Sequence, residues 1–194
     1  MNLRSPLAFA LVTPLLAQAP APKAAEPVKE MTPGQAVDGT YAWVEGQFIP
    51  AAEAMPEDKF DFAPTGGEFK GVKTFAQQVK HIAAVNYFLG GKLLGEKPPA
   101  EIGNPEQGPD NLKTKAEILQ YLKGSFAYAR KAVASITAKN GTTAMPSPFG
   151  GTTATTPLGL ATLLAFHGMD HYGQMVVYLR MNGIVPPASR KQGS

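Results

Sequence analysis

A bundle of four α-helices with long, crossing connections is the all-α fold that this sequence predicts. Three observations carry it. Apolar residues recur at three- and four-residue steps over four separate stretches of about 16 to 26 residues. No stretch alternates apolar and polar residues as a half-buried strand must. The 194 residues, 44% of them hydrophobic, suffice for one domain with a real core and demand no second.

The chain opens on "MNLRSPLAFALVTPLLAQAPAPKAAEP". An early Arg4, an apolar run from Leu7 to Leu16 and the small-residue pattern Ala17-Gln18-Ala19 read as a secretory signal over 1–19. The run is too short to span a bilayer, so no stable membrane span is expected. Pro20 would follow the cut, where its rigid ring can hinder a peptidase. The expected location is therefore periplasmic or extracellular, or cytoplasmic if the segment does not work as a signal. Residues 20–33, rich in Ala, Pro and Lys, read as a flexible tether. The bundle is expected over 34–190.

The first helix is expected from Gly34 to Met55, with Tyr41, Val44, Phe48, Ala51 and Met55 on one face and a bend at Pro50. The second runs from Lys73 to Leu89, with Thr74 as its cap and Gly90-Gly91 as its stop. Thr114 with Glu117 is a capping-box signature for the third, which extends to Ala138 before Asn140-Gly141. The fourth opens at Thr156-Pro157 and reaches Met181, where Asn182-Gly183 and Pro186-Pro187 end it. The connections 90–113 and 139–156 exceed what a tight antiparallel turn needs, so at least one is expected to cross the bundle. The segment "NGTTAMPSPFGGTTATTP" lacks the phosphate-loop pattern. It reads as a structural loop, with a lid over a site as the lesser reading.

Composition excludes several function classes. The formal charge of +3 comes from 18 basic and 15 acidic residues scattered along the chain. No basic block or basic-aromatic run suggests a nucleic-acid surface. Cysteine is absent, which removes disulfides, thiolate ligands and a cysteine nucleophile together. A metal would have to be held by histidine, carboxylate or water.

Histidine occurs only three times, at His81, His167 and His171. At about 100° per residue, His171 falls about 40° from His167, and both sit in the apolar stripe of the fourth helix with Leu160 and Leu164. His81 lies within the apolar arc of the second helix, beside Gln78, Val85 and Phe88. Burying an imidazole beside others costs free energy unless hydrogen bonds or a cation compensate it. Two readings follow: hydrogen-bonded core residues, or a three-histidine face that leaves positions open on one divalent ion. The H-E-x-x-H zinc-protease pattern fails, because Gly168 stands where that motif needs its glutamate. Asp170, at the flank of the stripe, is a candidate to orient a ligand imidazole, or else a solvated carboxylate. Gln174 and Tyr178 follow the histidines down the same face. They are candidates to meet a substrate, or else a satisfied core amide and a snorkelling tyrosine.

Two segments resemble a known family. They are "MPEDKFDFAPTGGEFKGVKTFAQQVKHIAAVNYFLG", Met55 to Gly90, and "LATLLAFHGMDHYGQMVVYLRMNGIVPP", Leu160 to Pro187. They are similar to the loop and single-histidine helix, and to the closing paired-histidine helix, of DinB-like metal-binding four-helix bundles. The family name refers to a damage-inducible protein and implies no polymerase activity. The resemblance implies a helix order other than simple alternation and one divalent ion, zinc or nickel, on His81, His167 and His171. It also implies that dimers are common and that some relatives activate a low-molecular-weight thiol. The export signal departs from the cytosolic relatives, where such thiols are mainly found. The resulting expectation is a metal-dependent enzyme, thiol-transferase-like or hydrolase-like, acting on an unidentified small molecule. The alternatives are a non-catalytic metal- or small-ligand-binding module and a plain helical domain with packed histidines.

Overall fold

Each of the four long helices begins at a threonine. The computed structural model describes residues 30–191, so the expected signal, 1–19, and residues 20–29 of the expected tether lie outside the described residues. The helices are α1 (Pro33–Ala54), α2 (Phe75–Leu94), α3 (Lys115–Ala134) and α4 (Pro157–Met181). Thr32, Thr74 and Thr114 accept from the backbone N–H of Gln35, Gln77 and Glu117, whose side chains return to the threonine N–H. These reciprocal boxes satisfy donors the helix itself leaves free, at about 1 kcal/mol per cap. Thr156 caps α4 through the N–H of Gly159, with Pro157 in the first turn. α1 runs unbroken through Pro50.

Two helix ends differ from expectation. α2 does not stop at Gly90-Gly91; it continues to Leu94, where Gly95 takes the left-handed conformation at φ 68°. The two glycines serve packing instead. A Cβ on Gly90 would lie 2.8 Å from the Tyr128 ring of α3, and one on Gly91 would lie 2.9 Å from the Glu96 carbonyl. α3 ends at Ala134 rather than Ala138, because polar side chains offer its last residues other partners. The Ser135 hydroxyl donates to the Ala132 carbonyl at 2.7 Å, and Asn140 Oδ1 accepts from the Thr137 N–H at 2.7 Å.

α1 packs on α3 and α4, and α2 packs on the same two helices. Consecutive helices α1 and α2 are therefore diagonal, as are α3 and α4, while α2 and α3 are neighbours. The connections that cross are thus those at 55–74 and 135–156. The loop at 95–114 joins adjacent helices and is free to build a wall of the site.

Tyr41, Phe48 and Phe126 fill the centre, with the Phe126 ring 5.4 Å from Tyr41 and 5.8 Å from Phe48. Burying each such side chain is worth about 1.5–3 kcal/mol. A polar thread crosses this core: the Tyr41 hydroxyl donates to Asn86 Oδ1 at 2.7 Å, and Asn86 Nδ2 donates to Ser125 Oγ at 3.1 Å. At the surface Arg130 clasps both oxygens of Asp38 at 2.9 Å each, tying α3 to α1.

Two features position the site. Gly168, between the paired histidines of α4, faces α1 so closely that a Cβ there would lie 2.8 Å from Val44 Cγ1. The connection before α4 also contains a two-residue antiparallel ladder, β1 (Met145–Pro146) with β2 (Ala154–Thr155), where no strand was expected. Short alternation of this length leaves no readable period. Among the described residues, no helix is long and apolar enough to cross a membrane.

Candidate metal centre

α2 supplies His81 and the adjacent α4 supplies His167 and His171, one helical turn apart. One ring nitrogen from each lies within 4.8 Å of the others. The rings meet edge to face, with centroids 4.7 to 5.1 Å apart. His81 Nε2 and His167 Nε2 are 3.2 Å apart. His81 and His171 are buried and His167 is half-buried.

Hydrogen bonds fix the tautomers of two rings. His81 Nδ1 lies 2.6 Å from the Pro105 carbonyl, which can only accept, so the proton sits on Nδ1 and the Nε2 lone pair is free. The logic at His171 runs through three side chains. The Asp170 carboxylate accepts from Gln174 Nε2 at 3.0 Å, which turns Gln174 Oε1 toward Gln78. Gln78 Nε2 donates to that oxygen at 2.9 Å, so Gln78 Oε1 faces and accepts from His171 Nδ1. Nε2 of His171 is again left with its lone pair. This arrangement, a proton held on the outer nitrogen by a fixed acceptor, is how metal-ligating histidines are oriented and made more basic.

Electrostatics point the same way. Burial lowers the pKa of all three imidazoles below the ordinary value. The Pro105 hydrogen bond partly opposes this at His81. At His167 burial and then the neighbouring His81 bring the value to about 4. At His171 burial and the other two histidines bring it to about 3. Neutral imidazole, the ligating form, is thus favoured over most of the ordinary pH range.

The histidines open onto a cavity of about 570 Å³. Lys73 and Glu106 stand on one side as an ion pair at 2.9 Å, and Lys73 first of all holds the Glu106 carboxyl below its usual range. Val85, Phe88, Phe149 and Leu163 form the apolar side. The Pro105-Glu106 wall is built by a tight turn. Asn104 Oδ1 accepts from the Glu106 N–H at 2.9 Å. Gly108, at φ 71°, packs where a Cβ would lie 2.6 Å from Lys80 Cβ.

A family model of the DinB superfamily matches residues 40–175, a span that includes all three histidines, the whole of α2, and α4 as far as Met175. The chain belongs to the DinB superfamily. A search of curated proteins finds no match. The DinB match ends before the Tyr178-Leu179-Arg180 run. There Tyr178 turns away from the cavity, donating its hydroxyl to the Lys73 carbonyl at 3.0 Å and setting its ring edge against Phe62. The site that this DinB chain assembles therefore brings together His81, His167 and His171. It ties Asp170 and Gln174 to His171 only through Gln78, and uses Tyr178 as a brace below α2. Sequence reasoning passed over Gln78 as a site residue, although its place one turn before His81 on the same face was a usable signal. Pro105, Glu106, Lys73 and Phe149 lie in or beside loops, where no periodicity marks them.

Proposed function

We propose that this protein binds one divalent cation, zinc or nickel, through His81, His167 and His171, and acts as a metal-dependent enzyme of the transferase or hydrolase type on a small molecule. The observation that carries the reading is the pair of fixed outer-nitrogen protons, on His81 by Pro105 and on His171 by Gln78, which leaves both inner nitrogens as lone-pair donors, that of His81 facing His167 Nε2 at 3.2 Å. Nitrogen donors without thiolate suit zinc or nickel, and the set fits such an ion. The chemistry such an ion supplies when bound is Lewis acidity at the positions that three nitrogens leave open.

The chain's own residues supply the rest. Val85, Phe88, Phe149 and Leu163 exclude water from one side. Lys73 offers a cation to an anionic substrate group, and Glu106, kept ionised by Lys73, is the carboxylate that lines the mouth. In keeping with the N-terminal segment, we place this activity outside the cytoplasm.

Metal analysis of the purified, untagged protein tests the first half of the reading. About one zinc or nickel per chain is expected, lost in His167→Ala. A screen of thiol adducts, esters and amides with the loaded protein tests the second half. Turnover lost with the metal supports the enzyme, and silence across the panel makes the chain a binding module.

A further inference from the structure

The cavity beside the histidines is chemically two-sided. Beside the histidines its polar side holds Lys73 and Glu106, the charged side chains that line it among the described residues, with Lys73 largely covered at 24% exposure and Glu106 open at 72%. Its other side is hydrocarbon. Phe149 is the most informative residue there. Its loop is tied by the β1–β2 ladder, and it stands 64% exposed with its ring 6.0 Å from that of Phe88. An aromatic held at a cavity wall, apolar and wet, is a surface that ligand burial would cover.

Charge narrows the ligand. With a divalent cation on the histidines the cavity is net positive, because Glu106 balances only Lys73. An anionic head group is favoured there, since a low-dielectric wall strengthens its attraction to cations. The four apolar side chains offer no partner to the hydroxyls of a sugar or to a second charged group, and hydrocarbon against them gains free energy in proportion to its buried area.

We propose that the site takes an amphipathic monocarboxylate, with its carboxylate between the histidine face and Lys73 and its hydrocarbon body laid along the apolar wall of Phe88 and Phe149. This assignment rests on the metal reading above and names a substrate class for it. Glu106 competes with the ligand for Lys73.

Calorimetric titration of the full, zinc-loaded chain with straight-chain carboxylates from butanoate to decanoate tests the assignment, with zinc content measured on the same sample. Affinity should rise about two- to fourfold per added methylene until the cavity is filled. Octanamide, with the same chain and no charge, should bind at least about tenfold more weakly than octanoate. Phe149→Ala, at an exposed position that leaves the core intact, should flatten the chain-length series, and Phe88→Ala should do the same. Lys73→Met should weaken every member by a similar factor, while Glu106→Gln should tighten octanoate severalfold. A zinc-loaded protein with a flat series, or one that binds octanamide as well as octanoate, overturns the assignment and leaves the metal reading standing. A chain that holds neither zinc nor nickel overturns both.

Discussion

Gln78 on α2 accepts from Nδ1 of His171 on α4 while its own amide nitrogen donates to Gln174 at 2.9 Å. One buried amide thus sets the proton position of a ligand candidate on another helix. Its orientation is set in turn by Asp170, which accepts from Gln174 at 3.0 Å.

Gln78→Leu removes that acceptor and keeps the apolar volume. Zinc affinity should fall about 10- to 100-fold, as when the outer partner of a ligand histidine is lost. Competition with a chelating dye measures this. Helical content should be unchanged, and unaltered zinc affinity would show that Gln78 only packs.

An ion that binds the folded chain alone must stabilise it. At a free concentration about 100-fold above Kd, zinc should add about 2.7 kcal/mol, and a chelator should remove it. Thermal unfolding with and without chelator gives the shift. In His171→Ala the shift should shrink or vanish; a full-size shift in that variant would assign the ion to other residues.

The metal-free protein should be sensitive to mild acid. The folded-state values of His167 and His171 are lowered to about 4 and about 3, chiefly by burial, so below pH 6.5 the unfolded chain takes up protons that the folded chain resists. No penalty exists above about pH 6.5, where both states are neutral. Stability should fall progressively from there to about pH 3. Urea midpoints of the chelated protein against pH check this, with a shallower slope expected in His171→Gln.

Gly168→Ala places a methyl group 2.8 Å from Val44 Cγ1. Neither helix backbone yields easily, so the cost should be about 1–3 kcal/mol. Val44→Ala should recover part of it in the double variant, giving a coupling readable in a denaturant cycle. Additive losses would mean that α4 does not press on α1 at this point.

The helices and the inward histidines were legible because each rests on a local signal. Thr74, Thr114-Glu117 and Thr156-Pro157 marked three helix starts, and helical spacing alone put His167 and His171 on the buried stripe. Thr32 was passed over, since a tether reading covered it. Gly90-Gly91 misled for a physical reason: a glycine that admits a neighbouring ring looks, in one dimension, like a glycine that ends a helix. The groups that touch the histidines' outer nitrogens, Pro105 and Gln78, were largely hidden. Pro105 meets His81 across 24 residues, and nothing local to "IGNPEQG" announces which carbonyl will face α2.

The close approach at Gly168 divides labour in this scaffold. A helix that must turn hydrogen toward α1 at this position has no room there for a carboxylate, so the residue after His167 cannot be the proton acceptor that H-E-x-x-H enzymes keep at that place. The carboxylate beside the histidines and part of the apolar wall come from the connections, as Glu106 and Phe149 do, while Val85, Phe88 and Leu163 complete that wall from α2 and α4. Loops tolerate change where packed helices do not. Reaction type and substrate can therefore diverge through the segments 95–114 and 135–156 while the three histidines and the helices beneath them stay as they are.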